Sequence, residues 1–415
     1  MSKVNPFQPN SPAPTGMFAG RIKEITALGK GLHQTKNGHG SNFLITGERG
    51  IGKSSLMMIL KHFAKGEIST DYGEFNFITI NTVISDRTNI VTLMRLIERS
   101  LRREIGKIES VRTFLSDTWS FVQRIKVMDS GIDKKESNDE IDLIIDDFAY
   151  SLAETCKRIS TPEKGESAKD GFVFLIDEAD NACENLQIGY FFKTVTELLQ
   201  QNGCNNVMFV VAGLPEVIEK LSLSHESSIR IFTQLTVKEL NVEDRHYVID
   251  KAIEEGNRIN AEQYTISEKA KYHISKLSEG YPHFIQQFGY SAFDFNTDDE
   301  ISGDDVLDAA FNENGALDAI GSRYYANDFY SKIKSDEYRQ VLSIMAENMN
   351  SWVKKSDIRA KFSGDDQTLT DALRALTGRK IILKNPSKMG EYRLQHRGFA
   401  LWIKLFGSRK RDITS

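Results

Sequence analysis

The period of the apolar positions changes along the chain. A short apolar run, Asn42–Thr46, stands before a glycine-rich turn and reads as a strand. Beyond the turn, Leu56, Ile59, Leu60 and Phe63 recur at helical spacing and predict a helix over residues 53–65. Residues 75–81 alternate apolar and polar positions, which predicts a second strand, and 89–103 read as a helix. The runs 172–176 and 207–212 are continuously apolar, as suits central strands of a parallel sheet covered on both faces, and a helix over 185–202 lies between them. Strands alternating with helices predict a doubly wound α/β domain over residues 16–238.

Within that domain, residues 106–171 are less regular. Polar segments at 129–140 and 160–170 flank a helix at 141–158, and we read the region as helices and a loop inserted into the core. After Leu240 the strand pattern stops. Helical patterns at 242–256, 266–279, 281–295 and 304–312 predict a helical domain over 239–333. From 334 to 415 the order is three helices, a strand at 381–384, a turn, a strand at Glu391–Leu394 and a last helix, which is a winged helix-turn-helix. Residues 1–15 are polar and proline-rich, read as a flexible lead-in without the pattern of a signal peptide.

Composition narrows the class. The 415 residues are 40% hydrophobic and 27% charged, an ordinary globular balance. No apolar run approaches the roughly 18 residues of a membrane span. Cys156, Cys183 and Cys204 have no metal-ligand spacing, which points to reduced thiols and a cytoplasmic protein. The net charge of −5 is uneven: residues 351–415 carry 15 Lys/Arg against 6 Asp/Glu. A basic end on an acidic body suggests a polyanionic partner.

The chemistry centres on the turn after the first strand. Gly47, Glu48, Arg49, Gly50, Ile51, Gly52, Lys53 and Ser54, followed by Ser55, fit the G-x-x-x-x-G-K-[ST] phosphate loop, with a strand before and a helix after. Glycines let successive backbone N–H groups point inward around a phosphate, and the helix start adds its positive dipole end. In that frame Lys53 reaches the terminal phosphates of ATP and Ser54 offers a hydroxyl to Mg²⁺. Asp177 and Glu178 close the apolar run at 172–176. An Asp there holds the water shell of Mg²⁺, and Glu178 orients the attacking water.

Phe18, Ala19, Gly20, Arg21 and Glu24, ahead of the first strand, resemble the F-x-G-R-x-x-E segment that opens many AAA+ ATPases, among them archaeal origin initiators and STAND-like signalling ATPases. The two motifs above are similar to the Walker A and Walker B motifs of that group. Gly280, Tyr281, Pro282 and His283 look like its G-x-P lid motif, and a C-terminal winged helix is common there. The resemblance implies that Phe18, Gly20 and Arg21 lie over the adenine. It also implies that the segment 235–240 is the fifth strand, that Pro282 and His283 sense the nucleotide, and that Arg230 approaches a neighbouring subunit's γ-phosphate. Arg230 also reads as an arginine on an exposed strand end, and His283 as a packed core histidine. Two departures favour a slow switch over a motor: Ala212 and Gly213 stand where the group has a polar sensor residue, and His283 stands near its sensor arginine.

The C-terminal domain supplies the polyanion candidates. Residues 367–379 are the expected recognition helix, with Arg374 facing outward. Lys384 and Lys388 lie on the wing, and Arg409, Lys410 and Arg411 in the tail. The combined expectation is a slow, Mg²⁺-dependent ATPase that acts as a nucleotide-controlled switch, assembles with copies of itself in the ATP state and binds DNA through its winged helix. The alternative is a signalling or scaffold ATPase whose winged helix binds protein.

Overall fold

The structure is a computed structural model. It describes residues 3–11, 18–105, 114, 118–119, 138–161, 167–326, 329–330, 333, 335–348, 352–379, 381–385, 388–395 and 397–407. The chain forms two compact units, Pro12–Lys238 and a second made of Met1–Ser11 with Glu239–Ser415.

The first unit contains α1 (Ile22–Lys36), β1 (Asn42–Thr46), α2 (Lys53–Ala64), β2 (Ile78–Val83), α3 (Ile90–Ile105), α4 (Asn138–Ser160), β3 (Phe172–Asp177), α5 (Ile188–Gln201), β4 (Val207–Gly213), α6 (Val217–Ser224) and β5 (Phe232–Thr236). The sheet order is β2-β3-β4-β1-β5, and every pairing is parallel. β1 and β4 are buried along their whole length and β3 up to its last residue, as continuous apolar runs between two helix layers require. Phe172, Phe174, Phe192 and Phe209 fill the centre, with the rings of Phe174 and Phe209 stacked at 5.0 Å. Because all strands run the same way, their C-terminal ends and the loops after them gather along one edge.

Three expectations shift. The second strand begins at Ile78, since its register opens opposite Phe172 and runs to Val83 opposite Asp177. Phe75 and Phe77 precede it as buried loop residues. The fifth strand is Phe232–Thr236, not 235–240: its pairing with β1 runs from Asn42 to Thr46, and β1 ends there. The region read as an insertion supplies α4, whose Ile145, Phe148, Leu152 and Ala153 are fully buried in the sheet's own core.

The second unit opens with α7 (Val242–Ile259), β6 (Thr265–Ile266), α8 (Glu268–Leu277), α9 (Pro282–Phe295), β7 (Glu300–Ile301), α10 (Gly303–Phe311) and α11 (Ala316–Ile320), followed by a π-helical turn at Gly321–Tyr325. Local chemistry sets the helix starts. Asn241 accepts from the Asp244 N–H, Ser267 from Ala270, Ser302 and Asp305 form a capping box, and Pro282 occupies the first turn of α9. The winged helix belongs to the same compact unit: α12 (Asp336–Ala346), β8 (Val353–Lys354), α13 (Lys355–Lys361), α14 (Asp366–Gly378), β9 (Ile382–Lys384), β10 (Glu391–Leu394) and α15 (Arg397–Phe406), with an antiparallel sheet in the order β8-β10-β9. Trp402 of α15 sits where a Cβ on Gly321 would be, 1.9 Å from that position, which ties the wing's last helix to the π-helical turn.

The amino-terminal lead-in expected to be flexible is an ordered strap over residues 3–11. Lys3 Nζ donates to the carbonyls of Phe293 and Asn296 at the end of α9. Asn260 pairs with both the N–H and the C=O of Val4. Phe7 is 1% exposed and lies over Gly289, and Pro6 lies over Gly256. Polarity and proline content suggested a free segment; two helical glycines that leave room for the strap overrode them.

Candidate functional site

The loop between β1 and α2 is fixed by its glycines. Gly50 (φ 78°) and Gly52 (φ 102°) adopt left-handed backbone that side chains disfavour. A Cβ on Gly47 would fall 2.8 Å from the Val237 carbonyl oxygen. Ile51 anchors the loop in the core at 2% exposure. α2 starts at Lys53 without a side-chain cap, so its positive end faces the loop.

Lys53 Nζ donates to the carbonyls of Gly47 (2.8 Å) and Glu48 (2.9 Å), which draws the ammonium across the loop mouth. Burial holds its pKa below the usual lysine value; Asp177 and Asp180 pull the other way, and Arg49 adds to the lowering. The exposed Ser54 places its Oγ 2.6 Å from Asp177 Oδ2 and donates to it. The other carboxylate oxygen of Asp177 accepts the Glu178 N–H at 2.8 Å. Glu178 is exposed, has left-handed backbone (φ 56°), and its Oε2 accepts from Asn181 Nδ2 at 3.3 Å.

The neighbouring strand end is tied in by residues the sequence reading did not single out. Asp180 Oδ1 accepts the Leu214 N–H just beyond β4, and Lys220 Nζ on α6 donates to the carbonyls of Asp180 and Ala182. The available signal was the small pair Ala212-Gly213. A Cβ on Gly213 would stand 3.0 Å from both Asp180 N and Oδ1, so the glycine leaves space for that aspartate.

The structure brings Lys53, Ser54, Asp177 and Glu178 to one edge of the sheet, and Arg21 with them: its guanidinium donates to the Ile51 carbonyl at 3.1 Å. Gly20 and Arg21 both have positive φ, which shapes the chain before α1. Phe18 is half-buried, Glu48, Gly50 and Ser55 are half-buried, and Arg49 is exposed. Arg230 stands exposed in a one-turn helix ahead of the edge strand β5, and no hydrogen bond or ion pair joins its side chain to a described residue. Pro282 and His283 open α9 in the second unit, where the His283 ring lies 3.2 Å from the Arg323 guanidinium and 5.0 Å, centroid to centroid, from Tyr324.

The groups fit ATP with Mg²⁺. Three glycines leave backbone open around a loop at a helix start, a desolvated ammonium stands at its mouth, and a hydroxyl and a carboxylate meet beside it. Mg²⁺ commonly takes only one or two protein carboxylates and completes its shell with waters and phosphates. The single pair Ser54–Asp177 suits that habit, and no cluster of three or more His, Cys, Asp or Glu able to hold a metal occurs among the described residues.

On the winged helix, Arg374 is exposed with its guanidinium 3.6 Å from Asp371, and Lys384 and Lys388 are exposed. Arg409, Lys410 and Arg411 lie outside the described residues.

No family model matches the chain. Among curated proteins it is 23% identical over 289 residues to an uncharacterized HTH-type transcriptional regulator of Methanocaldococcus jannaschii; the match covers 68% of this chain and 65% of that relative's length. Among solved structures it is similar to the Aeropyrum pernix ORC2 protein in its ADPNP-ADP complexes, at 13% identity and a TM-score of 0.56, covering 94% of this chain and 93% of that one. The ADP form of the same protein superposes with a TM-score of 0.48. The shared property is the fold alone, which in this chain is a five-stranded parallel α/β core, a helical unit and a C-terminal winged helix. The resemblance to origin-initiator-type AAA+ ATPases drawn from the sequence is borne out at that level.

Proposed function

We propose that the protein binds and slowly hydrolyses ATP with Mg²⁺ in the cytoplasm, and uses the nucleotide state to control DNA binding by its winged helix. The observation that carries this reading is the 2.6 Å bond between Ser54 Oγ and Asp177 Oδ2 at the mouth of the phosphate loop. It supports the reading because the hydroxyl and the carboxylate expected to hold Mg²⁺ stand side by side, although 122 residues lie between them in sequence. The ORC2 protein, whose fold is shared, was solved with ADPNP and ADP, and the archaeal relative is named an HTH-type regulator. Both support the reading.

Each residue's role follows from its chemistry. The backbone N–H groups of residues 50–54 and the start of α2 surround phosphate oxygens. Lys53 exchanges its two carbonyl partners for the terminal phosphates, which repays the burial of its charge. Ser54 Oγ and Asp177 Oδ2 would hold Mg²⁺. An ion held there would supply positive charge against the charge that develops in phosphoryl transfer. Glu178 takes a hydrogen bond from the attacking water at its carboxylate, and Asn181 Nδ2 limits how that carboxylate can turn. Turnover is slow because β4 ends in Ala212-Gly213 and offers no polar side chain, while Asp180 is bound to the Leu214 N–H. Arg230, exposed and unpaired among the described residues, is free to reach the phosphates of a second copy on assembly.

The test is phosphate release with duplex-DNA anisotropy, each with and without ATP·Mg²⁺. Glu178→Gln retains ATP affinity and loses release by at least about 100-fold, in line with loss of a residue acting in the transition state. DNA affinity that changes with nucleotide in the full chain supports the switch. Release unaffected by Glu178→Gln would overturn the catalytic assignment. The second reading, a scaffold ATPase whose winged helix binds protein, draws on the acids of α14: Asp365, Asp366 and Asp371. Nucleotide binding with no DNA binding at low salt decides for it.

A further inference from the structure

The winged helix presents two faces of different charge. On the helical face, Asp365 caps α14 by accepting the Thr368 N–H at 2.7 Å. Asp366 lies 3.8 Å from Lys355 and 3.6 Å from Arg359. Asp371 faces Arg374 at 3.6 Å and accepts from Gln367 Nε2 at 3.1 Å. Lys355 also donates to Thr370 at 2.8 Å, and Lys361 pairs with Glu347. Lys355, Arg359, Lys361 and Arg374 therefore each face a carboxylate. Lowering this helix into a groove would bring three aspartates toward the phosphate-lined duplex and require its cations to leave their partners.

The sheet face differs. β10 pairs with β8 through Glu391↔Lys354 and Tyr392↔Val353, and with β9 through Leu394↔Ile382. Ile382 and Val353 are buried, so strand alternation directs Lys354 and Arg393 away from the core. The Arg393 guanidinium lies over the Trp352 ring, 5.0 Å from its centroid. Such stacking fixes the plane of an arginine and leaves its N–H edge available for a phosphate. Lys388 in the wing turn is exposed, and neither it nor Lys354 has an ion pair among the described residues; Lys384, exposed at the end of β9, pairs with Tyr392 and so falls on the opposite face with Ile382 and Leu394. Glu391, held by Asn385 Nδ2 at 2.8 Å, is the one carboxylate on the three described strands of this sheet.

Resting on the reading that the winged helix binds DNA, we propose that it grips duplex DNA by this sheet face. Lys354, Lys388 and Arg393 bond the phosphates, Trp352 sets the angle of Arg393, and α14 stays out of the major groove. Base edges are then left unread, and binding is largely indifferent to sequence. Charge complementarity selects the occupant: three cations stand against one carboxylate, where the helical face is balanced.

The experiment is fluorescence anisotropy of the full chain on two unrelated duplexes over a salt series. Wild type binds both within a few-fold. Lys354→Ala/Lys388→Ala weakens binding to both alike and flattens the log–log salt slope by about two, near one unit per phosphate contact removed. Arg393→Lys, which keeps the charge and loses the stack, weakens binding several-fold. Gln367→Ala/Arg374→Ala on α14 stays within about two-fold, since it removes no phosphate contact. A loss confined to the α14 variant, or strong preference of wild type for one duplex, overturns the sheet-face assignment while leaving DNA binding intact. Absence of wild-type binding even at roughly 50 mM salt overturns DNA binding itself, and the inference with it.

Discussion

Ser54 on the first turn of α2 and Asp177 at the end of β3 meet through a 2.6 Å hydrogen bond, and this bond joins two chain segments that β4 separates in the sheet. β1, which leads to Ser54, lies on the far side of β4 from β3, so the contact depends on the loop and α2 reaching across the C-terminal edge. Both side chains have solvent access, so the bond adds little to stability; exposed polar pairs contribute roughly 1 kcal/mol or less. On the proposed reading, its value is in bringing a hydroxyl and a carboxylate together where Mg²⁺ would bind.

Ser54→Ala and Asp177→Asn therefore separate metal use from folding. Each shifts the unfolding midpoint in urea by no more than about 1 kcal/mol equivalent. Each also removes most of the Mg²⁺-dependent gain in affinity for a fluorescent ATP analogue, by ten-fold or more on the order of the 1.4 kcal/mol per decade scale. Unchanged Mg²⁺ dependence in both variants would remove these two residues from the metal site.

Lys53 gives a prediction of opposite sign for the free and bound protein. Its pKa is lowered chiefly by burial, so the folded state holds its proton less tightly than the unfolded chain. At neutral pH the ammonium is a cost to the nucleotide-free fold, and stability rises with pH through the window between the lowered and the ordinary lysine values. Lys53→Met removes that cost. Differential scanning fluorimetry without nucleotide shows a melting temperature equal to or above wild type, and the rise on adding ATP·Mg²⁺ disappears. A variant that melts well below wild type without ligand would show that the bonds to Gly47 and Glu48 outweigh the burial of charge.

Much of this was readable in the chain. The phosphate loop declares itself because glycine requirements and a cation are local, and β1, β3 and β4 because buried parallel strands leave continuous apolar runs. What escaped depended on pairing across distance. The start of β2 is set by Phe172, and the end of β5 by Thr46, and neither partner is visible in the local pattern. Asp180 escaped because its role comes from the Leu214 N–H on the next strand's loop. The recognition helix was readable as a helix, yet the ion pairs that occupy its charges arise from Lys355 and Arg359 on the helix before it.

His283 makes the second unit sensitive to acid. Burial and the neighbouring Arg323 guanidinium push its pKa down to about 4 from an ordinary 6.5, against a smaller opposing contribution from a hydrogen bond at Pro9. The ring is neutral in the folded protein at pH 7. As pH falls through 6.5 the unfolded chain takes up a proton that the folded chain refuses until about pH 4, so stability drops across that window by up to about 3 kcal/mol and levels off below it. Urea titrations at pH 7.5 and about 4.5 measure the drop. His283→Gln keeps an acceptor for Arg323 and has no titration, so its curve is flatter; an equal slope in the variant would assign the acid sensitivity elsewhere.

The strap over residues 3–11 has a stability cost that two substitutions can divide. Phe7 is 1% exposed, and truncating a buried Phe to Ala typically costs about 3–5 kcal/mol. A Cβ on Gly289 would lie 2.3 Å from the Phe7 ring, so Gly289→Ala expels the ring without shortening it. Both variants release the strap, and the amide protons of Val4 and Gln8, bonded to Asn260 Oδ1 and Gln286 Oε1, lose protection in hydrogen exchange. In Phe7→Ala the groove is left lined by apolar surface, whereas Gly289→Ala adds a methyl to α9 and raises its helix propensity by up to about 1 kcal/mol. The helical unit in Gly289→Ala therefore melts no lower than in Phe7→Ala, with the strap equally free. Retained protection at Val4 and Gln8 in both variants would mean that the polar contacts of Lys3, Asn5 and Gln8 hold the strap without the ring.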